Sequence, residues 1–203
     1  PEEVLHSIKP GMTIFLRSGV ADGRTLMKYL IDSGVSNTND LELIQLTSHS
    51  DVLSLKRRDW QKYRLKTFFS TMVSTEAVIA GSVDLIPARI SQIPRIIKSK
   101  RIPIDVAMIQ ITPPNDAGYC SLGVAVDVAR EAIQQASLVV GEINHQIPFT
   151  FGDTIVSISD FNLLVESTEP PIYFKRWPVS KIIDQVAANI AQVIEDGDCL
   201  SFF

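Results

Sequence analysis

The run Ile104-Asp105-Val106-Ala107-Met108-Ile109-Gln110-Ile111 leads straight into Thr112-Pro113-Pro114-Asn115-Asp116-Ala117-Gly118-Tyr119-Cys120-Ser121-Leu122-Gly123. The first part is almost continuously apolar, as a strand buried on both faces of a parallel sheet should be. The second part is a stiffened exit. Two prolines restrict the backbone, Asn115 and Asp116 suit a turn, and Gly118 and Gly123 permit positive φ. Two readings of so constrained a loop stay open: a rigid structural turn, or the wall of a binding site.

The same alternation extends in both directions. Toward the start, the pattern predicts a helix over 2–8, broken by Lys9-Pro10-Gly11, then a strand over 12–17 and a helix over 24–32. Strands over 41–47 and 65–70, a helix over 74–80, a short extended piece over 83–87 and a helix over 90–98 follow. Toward the end come a helix over 128–136 with Asp127 as N-cap, an apolar strand over 138–143, and β structure over 154–166 with a turn near Ser159-Asp160-Phe161-Asn162. In the last helix Ile182, Ile183, Val186, Ile190, Val193 and Ile194 form one stripe, with Ser180 as its cap and Gly197 as its end. Helices alternating with apolar strands predict an α/β fold: an open, largely parallel sheet flanked by helices. Such sheets place ligands at the loops that follow the carboxyl ends of the strands. Those loops are 18–23, 70–75 and 112–123.

Composition narrows the function classes. The 203 residues carry 19 Lys and Arg against 23 Asp and Glu, a net charge of −4, with 45% hydrophobic and 21% charged residues. This is a globular composition, and the acidic balance disfavours a general nucleic-acid binder. No apolar run approaches the roughly 18–20 residues of a membrane span. Two cysteines, with no CxxC or Cys/His metal spacing, predict a reducing, cytoplasmic compartment, no disulfide framework and no metal.

Local chemistry nominates few reactive groups. The loop Ser18-Gly19-Val20-Ala21-Asp22-Gly23 enters a helix N-terminus. It is either a small-residue cradle for anionic oxygens or a tight strand-to-helix turn. It is neither GxGxxG nor a P-loop. Cys120 has no histidine near it in sequence, since His6, His49 and His145 are the only ones, and reads as a small buried thiol. His145 follows a strand and is either a pocket residue or a surface one. The basic run 56–66 reads as a solvated segment, with phosphate or partner contact as the alternative. Glu2/Glu3 and Glu195/Asp196 read as solvated helix ends, and GxSxG is absent.

Taken together, the 104–124 stretch resembles a signature of the acetyl-CoA hydrolase/transferase family of class I coenzyme A transferases, and within it the 4-hydroxybutyrate CoA-transferases. Gly141-Glu142-Ile143-Asn144-His145-Gln146-Ile147-Pro148, Phe151-Gly152-Asp153-Thr154, Ile194-Glu195-Asp196-Gly197 and Ile93-Pro94 also match, in consistent order along nearly the whole chain. The resemblance departs from the family at Ser70, Thr71 and Met72, where glycines are usual, at Arg24, where a proline lies nearby in relatives, and at His145.

The resemblance implies a CoA-transferase-type domain that moves coenzyme A between carboxylic acids through a glutamyl-CoA thioester. Its substrates would be acyl-CoA and a small carboxylate, with no metal. The nucleophilic glutamate of the family lies in a second domain, and neither Glu142 nor Glu166 occupies its position. The expectation is therefore an N-terminal domain over 1–197, inactive alone. Residues 198–203 would begin a catalytic domain, because Cys199-Leu200-Ser201-Phe202-Phe203 is apolar directly after a turn. The implied substrate-binding residues are Ser18, Gly19, Gly23, Ser70, Thr71, Pro114, Gly118, Cys120, Ser121 and Asn144. The implied partners are the chain's own second domain and a second copy of itself, with no nucleic acid and no membrane. Two alternatives stand beside this: one subunit of a two-chain transferase, and a non-enzymatic sensor of small metabolites.

Overall fold

A computed structural model describes residues 1–32, 39–47, 62–70, 72–173 and 178–200. Two compact units divide the chain, Pro1–Ile172 and Tyr173–Phe203.

The first unit is a three-layer α/β domain. Its strands are β1 (Thr13–Leu16), β2 (Leu41–Thr47), β3 (Tyr63–Phe69), β4 (Val83–Leu85), β5 (Val106–Ile111), β7 (Leu138–Ile143) and β9 (Leu163–Glu166). They form one sheet in the order β4-β3-β2-β1-β5-β7-β9, and every neighbouring pair is parallel. All strands therefore end at one edge. The chain builds outward from β1 to β4, then returns to place β5 on the other side of β1. The switch in direction falls between β1 and β5, where an open α/β sheet leaves its crevice.

Alternation along the strands divides the core into two layers. Ile14, Leu16, Leu43, Leu65, Met108 and Val140 pack against α1 (Glu2–Ser7) and α2 (Arg24–Asp32). Phe15, Ile44, Ala107, Ile109 and Val139 pack on the opposite face, against α4 (Ile93–Lys98) and α5 (Ala129–Gln135). α3 (Met72–Ile79) lends Ala77 and Val78 to the first layer.

Four details differ from the sequence reading. The 112–123 segment is a hairpin rather than a loop. Its return arm is β6 (Tyr119–Ser121), which pairs antiparallel with β8 (Ile155–Ser157) in a small second sheet. A three-residue strand with one apolar core contact, Cys120, is too short to show periodicity. The 154–166 segment therefore splits between two sheets, β8 joining β6 and β9 joining β7. The expected helix over 90–98 begins as a 3-10 turn, Ile90–Gln92, before α4. Finally, Asp127 does not cap α5. It adopts φ +42°, and Val128 holds the N-cap position without a side-chain bond.

The second unit contains α6 (Lys181–Ala191), whose first turn is capped by Ser180 Oγ accepting from Ile183 N. Within that unit the stripe of Ile182, Ile183, Val186 and Ile190 is exposed. The helix ends at Ala191, six residues before Gly197 by the numbering, and Gly197 (φ +96°) instead belongs to a turn closed by Asp198 N donating to Glu195 O. Residues 198–200 form no strand. Residues 201–203 of the expected strand lie outside the described residues.

Candidate functional site at the carboxyl edge of the sheet

The side chains that end the strands are polar although buried. Two residues beyond Leu16, Leu43, Leu65, Met108 and Val140 stand Ser18, Gln45, Thr67, Gln110 and Glu142. Strand alternation puts each on the α2 side of the sheet, and pairing sets Gln45 beside Thr67 and Gln110 beside Glu142. All five are buried. This polar row lies across the switch point between β1 and β5.

Glu142 is the most firmly held member. Its Oε2 accepts from Leu26 N at 2.9 Å, and its Oε1 accepts from Thr25 N at 3.2 Å and from Ser167 Oγ at 2.8 Å. A carboxylate thus caps the first turn of α2, where free N–H groups and the helix dipole favour negative charge. The residue before the helix is Gly23, whose carbonyl accepts from Met27 N and which has no side-chain oxygen of its own. A Cβ there would stand 2.9 Å from Glu142 Oε2. The small residue that the sequence offers for ligand approach makes room for a remote carboxylate, and the Thr25 and Leu26 N–H groups are already engaged.

The same turn holds the chain that follows β9. Thr25 Oγ1 accepts from Thr168 N and Glu169 N, Arg24 Nη1 donates to Pro170 O at 3.1 Å, and Lys28 Nζ donates to Glu169 Oε1 at 2.8 Å. That contact raises the Lys28 pKa and lowers that of Glu169.

On the other face of β1, Arg17 is fully buried. Its Nη1 donates to Gln110 O at 2.7 Å and Leu122 O at 2.8 Å. Burial lowers its pKa, while the charges of Asp127 and Asp22 oppose that shift. The Asp127 carboxylate is also enclosed, and desolvation pushes its pKa up to about 6. Arg17 works against that rise, as do the Ser18, Ala129 and Val128 N–H groups, which face the carboxylate without reaching good hydrogen-bond geometry.

The residues singled out from sequence fall at this edge in two groups. Gly19 and Gly118 are half-buried, and Ser70 and Pro114 are exposed. Ser70 Oγ lies 3.0 Å from Thr75 Oγ1. Thr71 lies outside the described residues. Ser18, Gly23, Cys120, Ser121 and Asn144 are buried. Ser18 Oγ accepts from Leu46 N and Thr47 N. Ser121 Oγ donates to Thr150 O and accepts from Gly123 N. Asn144 Oδ1 accepts from Gln146 N at 2.9 Å. Cys120 packs in the core of the α4/α5 face, where burial raises its thiol pKa.

His145 is exposed, with Nε2 3.3 Å from Glu166 Oε2. Most of the basic run 56–66, and His49, lie outside the described residues. The described end of that run meets acids: Lys66 Nζ lies 2.7 Å from Glu42 Oε1, and Arg64 Nε lies 3.8 Å from Asp84 Oδ2. Among the described residues no group of three or more His, Cys, Asp or Glu converges as a metal site, and no helix is long and apolar enough to cross a membrane.

The family model for the acetyl-CoA hydrolase/transferase N-terminal domain matches residues 1–200. The chain belongs to that family. It is 30% identical over 201 residues to a succinyl-CoA:acetate/propanoyl-CoA:succinate CoA transferase of Fasciola hepatica, covering 98% of this chain and 42% of the relative. A 4-hydroxybutyrate coenzyme A transferase of Clostridium kluyveri is 30% identical over 174 residues, covering 84% and 41%. The chain thus spans about two fifths of the length of these relatives. In fold it matches the crystal structure of RipA from Yersinia pestis, with TM-score 0.82, 22% identity, and 98% and 48% of the two chains covered.

Sequence reasoning missed Arg17, Gln45, Gln110 and the roles of Glu142 and Asp127. The available signal was the polar residue that breaks each strand's apolar face at its carboxyl end.

Two consequences can be measured. Gly23→Ala pushes against the Glu142 carboxylate and should cost about 1–3 kcal/mol in urea unfolding, the value of charged hydrogen bonds lost at the α2 cap. An unchanged midpoint would contradict the cap. The second concerns pH. Asp127 has a higher pKa folded than its ordinary 3.8, so the folded state holds the proton more tightly between about pH 4 and 6. The native protein should therefore lose stability relative to Asp127→Asn as pH rises through that window, by roughly a few kcal/mol, and the difference should level off above it. A difference in melting temperature that stays flat from pH 4 to 7 would contradict the buried carboxylate.

Proposed function

We propose that the complete protein is an acyl-CoA:carboxylate CoA-transferase, or an acetyl-CoA hydrolase, and that this domain forms one wall of its acyl and carboxylate pocket at the β1/β5 edge. Family membership and the relatives' names support the reaction class. One structural observation favours a nucleophile from outside this domain. Glu142 is the only buried glutamate among the described residues, and both of its oxygens already cap α2.

In the proposed reaction, a glutamate carboxylate beyond residue 203 attacks the thioester carbonyl, giving an acyl-glutamyl anhydride and CoA thiolate. The thiolate attacks the glutamyl carbonyl, releasing the first carboxylate and leaving a glutamyl-CoA thioester. The acceptor carboxylate then reverses these two steps. Gly19, Ser70, Pro114 and Gly118, the accessible members of the edge, face the ligand in this reading. Ser18, Gly23, Cys120, Ser121 and Asn144 hold the loops behind them. The second wall belongs to a following domain of the same polypeptide.

The test compares the 203-residue chain with the complete protein, using acetyl-CoA and a panel of carboxylates. The expected result is CoA transfer only by the complete protein. Without an acceptor, a CoA adduct should appear by mass spectrometry on a glutamate beyond residue 203. An adduct on Glu142 or Glu166, or full turnover by the short chain, would overturn the assignment. Metabolite binding without turnover in the complete protein would favour a sensor.

A further inference from the structure

Arg17 is an expensive residue for its place. A guanidinium without access to water is costly unless its donors are used, and an apolar side chain would fill the same layer more cheaply. Yet Arg17 uses only Nη1, and Nε and Nη2 have no hydrogen-bond partner. The two acceptors it does have are backbone carbonyls, Gln110 O near the end of β5 and Leu122 O just after β6. They flank the hairpin that projects from the carboxyl edge, and Thr112 N donates to Ser121 O between them at 2.9 Å.

Arg17 also directly precedes the 18–23 loop, and Gln110 ties the two ends of that arrangement together. Its carbonyl receives Arg17, and its Nε2 donates to Asp22 O at 2.8 Å. Ser18 is fixed in turn by Leu46 N and Thr47 N. From the far side, Asp127 turns its carboxylate toward Arg17 and the Ser18 N–H through a backbone at φ +42°. One nitrogen, Arg17 Nη1, thus joins the exits of β1 and β5 and the return of β6.

We infer that Arg17 is a positioning residue, with Asp127 as its counter-charge: it fixes the spacing between the 18–23 loop and the 112–123 hairpin, and hence the shape of the pocket wall. The inference rests on the carboxyl edge being the transfer site. It assigns Arg17 no contact with substrate.

The test uses the complete protein and the double variant Arg17→Met/Asp127→Asn, which removes both charges of that pair together, leaves Asp22 in place, and keeps at position 127 a residue that tolerates positive φ. Two readouts are taken. With acyl-CoA and a carboxylate, kcat should fall at least thirtyfold while the acyl-CoA KM changes less than threefold and the melting temperature holds within a few degrees. Hydrogen exchange at the Tyr119, Ser121 and Gly123 amides, which donate within the hairpin region, should speed at least tenfold. Should the double variant fail to fold, Arg17→Lys decides by the same readouts, since an ammonium keeps the charge but its stem ends about one bond short of the Nη1 position that serves both carbonyls.

A folded variant with unchanged kcat and unchanged exchange overturns the positioning role. Exchange is read whether or not the protein is active. Absence of CoA transfer in the native protein therefore counts against the proposed function alone, and unchanged hairpin exchange counts against Arg17.

Discussion

The Glu142 carboxylate lies beneath the first turn of α2 with no exposure to water, and both of its oxygens accept backbone N–H groups there. Ionised carboxylates tolerate such burial only when their lone pairs are satisfied. That requirement propagates. Position 23 must lack a side chain, because a Cβ would press on Oε2. α2 must start at Arg24, which sets where the 18–23 loop ends. Ser167 must supply its hydroxyl to Oε1, which brings the chain after β9 across the same turn. One charge on β7 thereby places the loop after β1, although β5 lies between the two strands.

The two faces of the sheet handle polarity differently at this edge. On the α2 side the row of Ser18, Gln45, Thr67, Gln110 and Glu142 is neutral except for one carboxylate, and a helix terminus answers that charge. On the α4/α5 side Arg17 and Asp127 answer each other, in a layer otherwise filled by Phe15, Ile109, Val128 and Ala129. Burial shifts both groups toward neutrality, and each resists the shift in the other. Such pairs add little to stability compared with apolar packing. Their value here is directional, because Arg17, at the exit of β1, holds backbone carbonyls near the end of β5 and just after β6 at the point where the sheet changes direction.

Much of the fold was legible as pattern. The run from Ile104 to Ile111 has the continuous apolarity that only a doubly covered strand needs, and the stripes in α2 and α6 have helical spacing. Together they identify a parallel sheet and its open edge. The strand β6 escaped because three residues carry no period and its partner β8 lies far along the chain. Asp127 looked like a cap because Asp before a helix commonly is one, whereas its backbone is left-handed and its carboxylate meets the charge of Arg17 instead. Glu142 and Arg17 escaped for the same reason. Their partners are a helix terminus and carbonyls about a hundred residues away, and local spacing does not encode them. The family signature located the edge through residues 104–124 and 141–148, but not which of its residues are buried supports.

The central claim is that the reacting end of an acyl-CoA meets this domain at the carboxyl edge of β1 and β5. The most direct measurement is photo-crosslinking of the complete protein with an acyl-CoA whose acyl chain carries a diazirine, followed by peptide mapping. The account predicts adducts within residues 18–23, 112–123 or 144–146. Adducts confined to the opposite edge, such as residues 9–12 or 100–105, would contradict it.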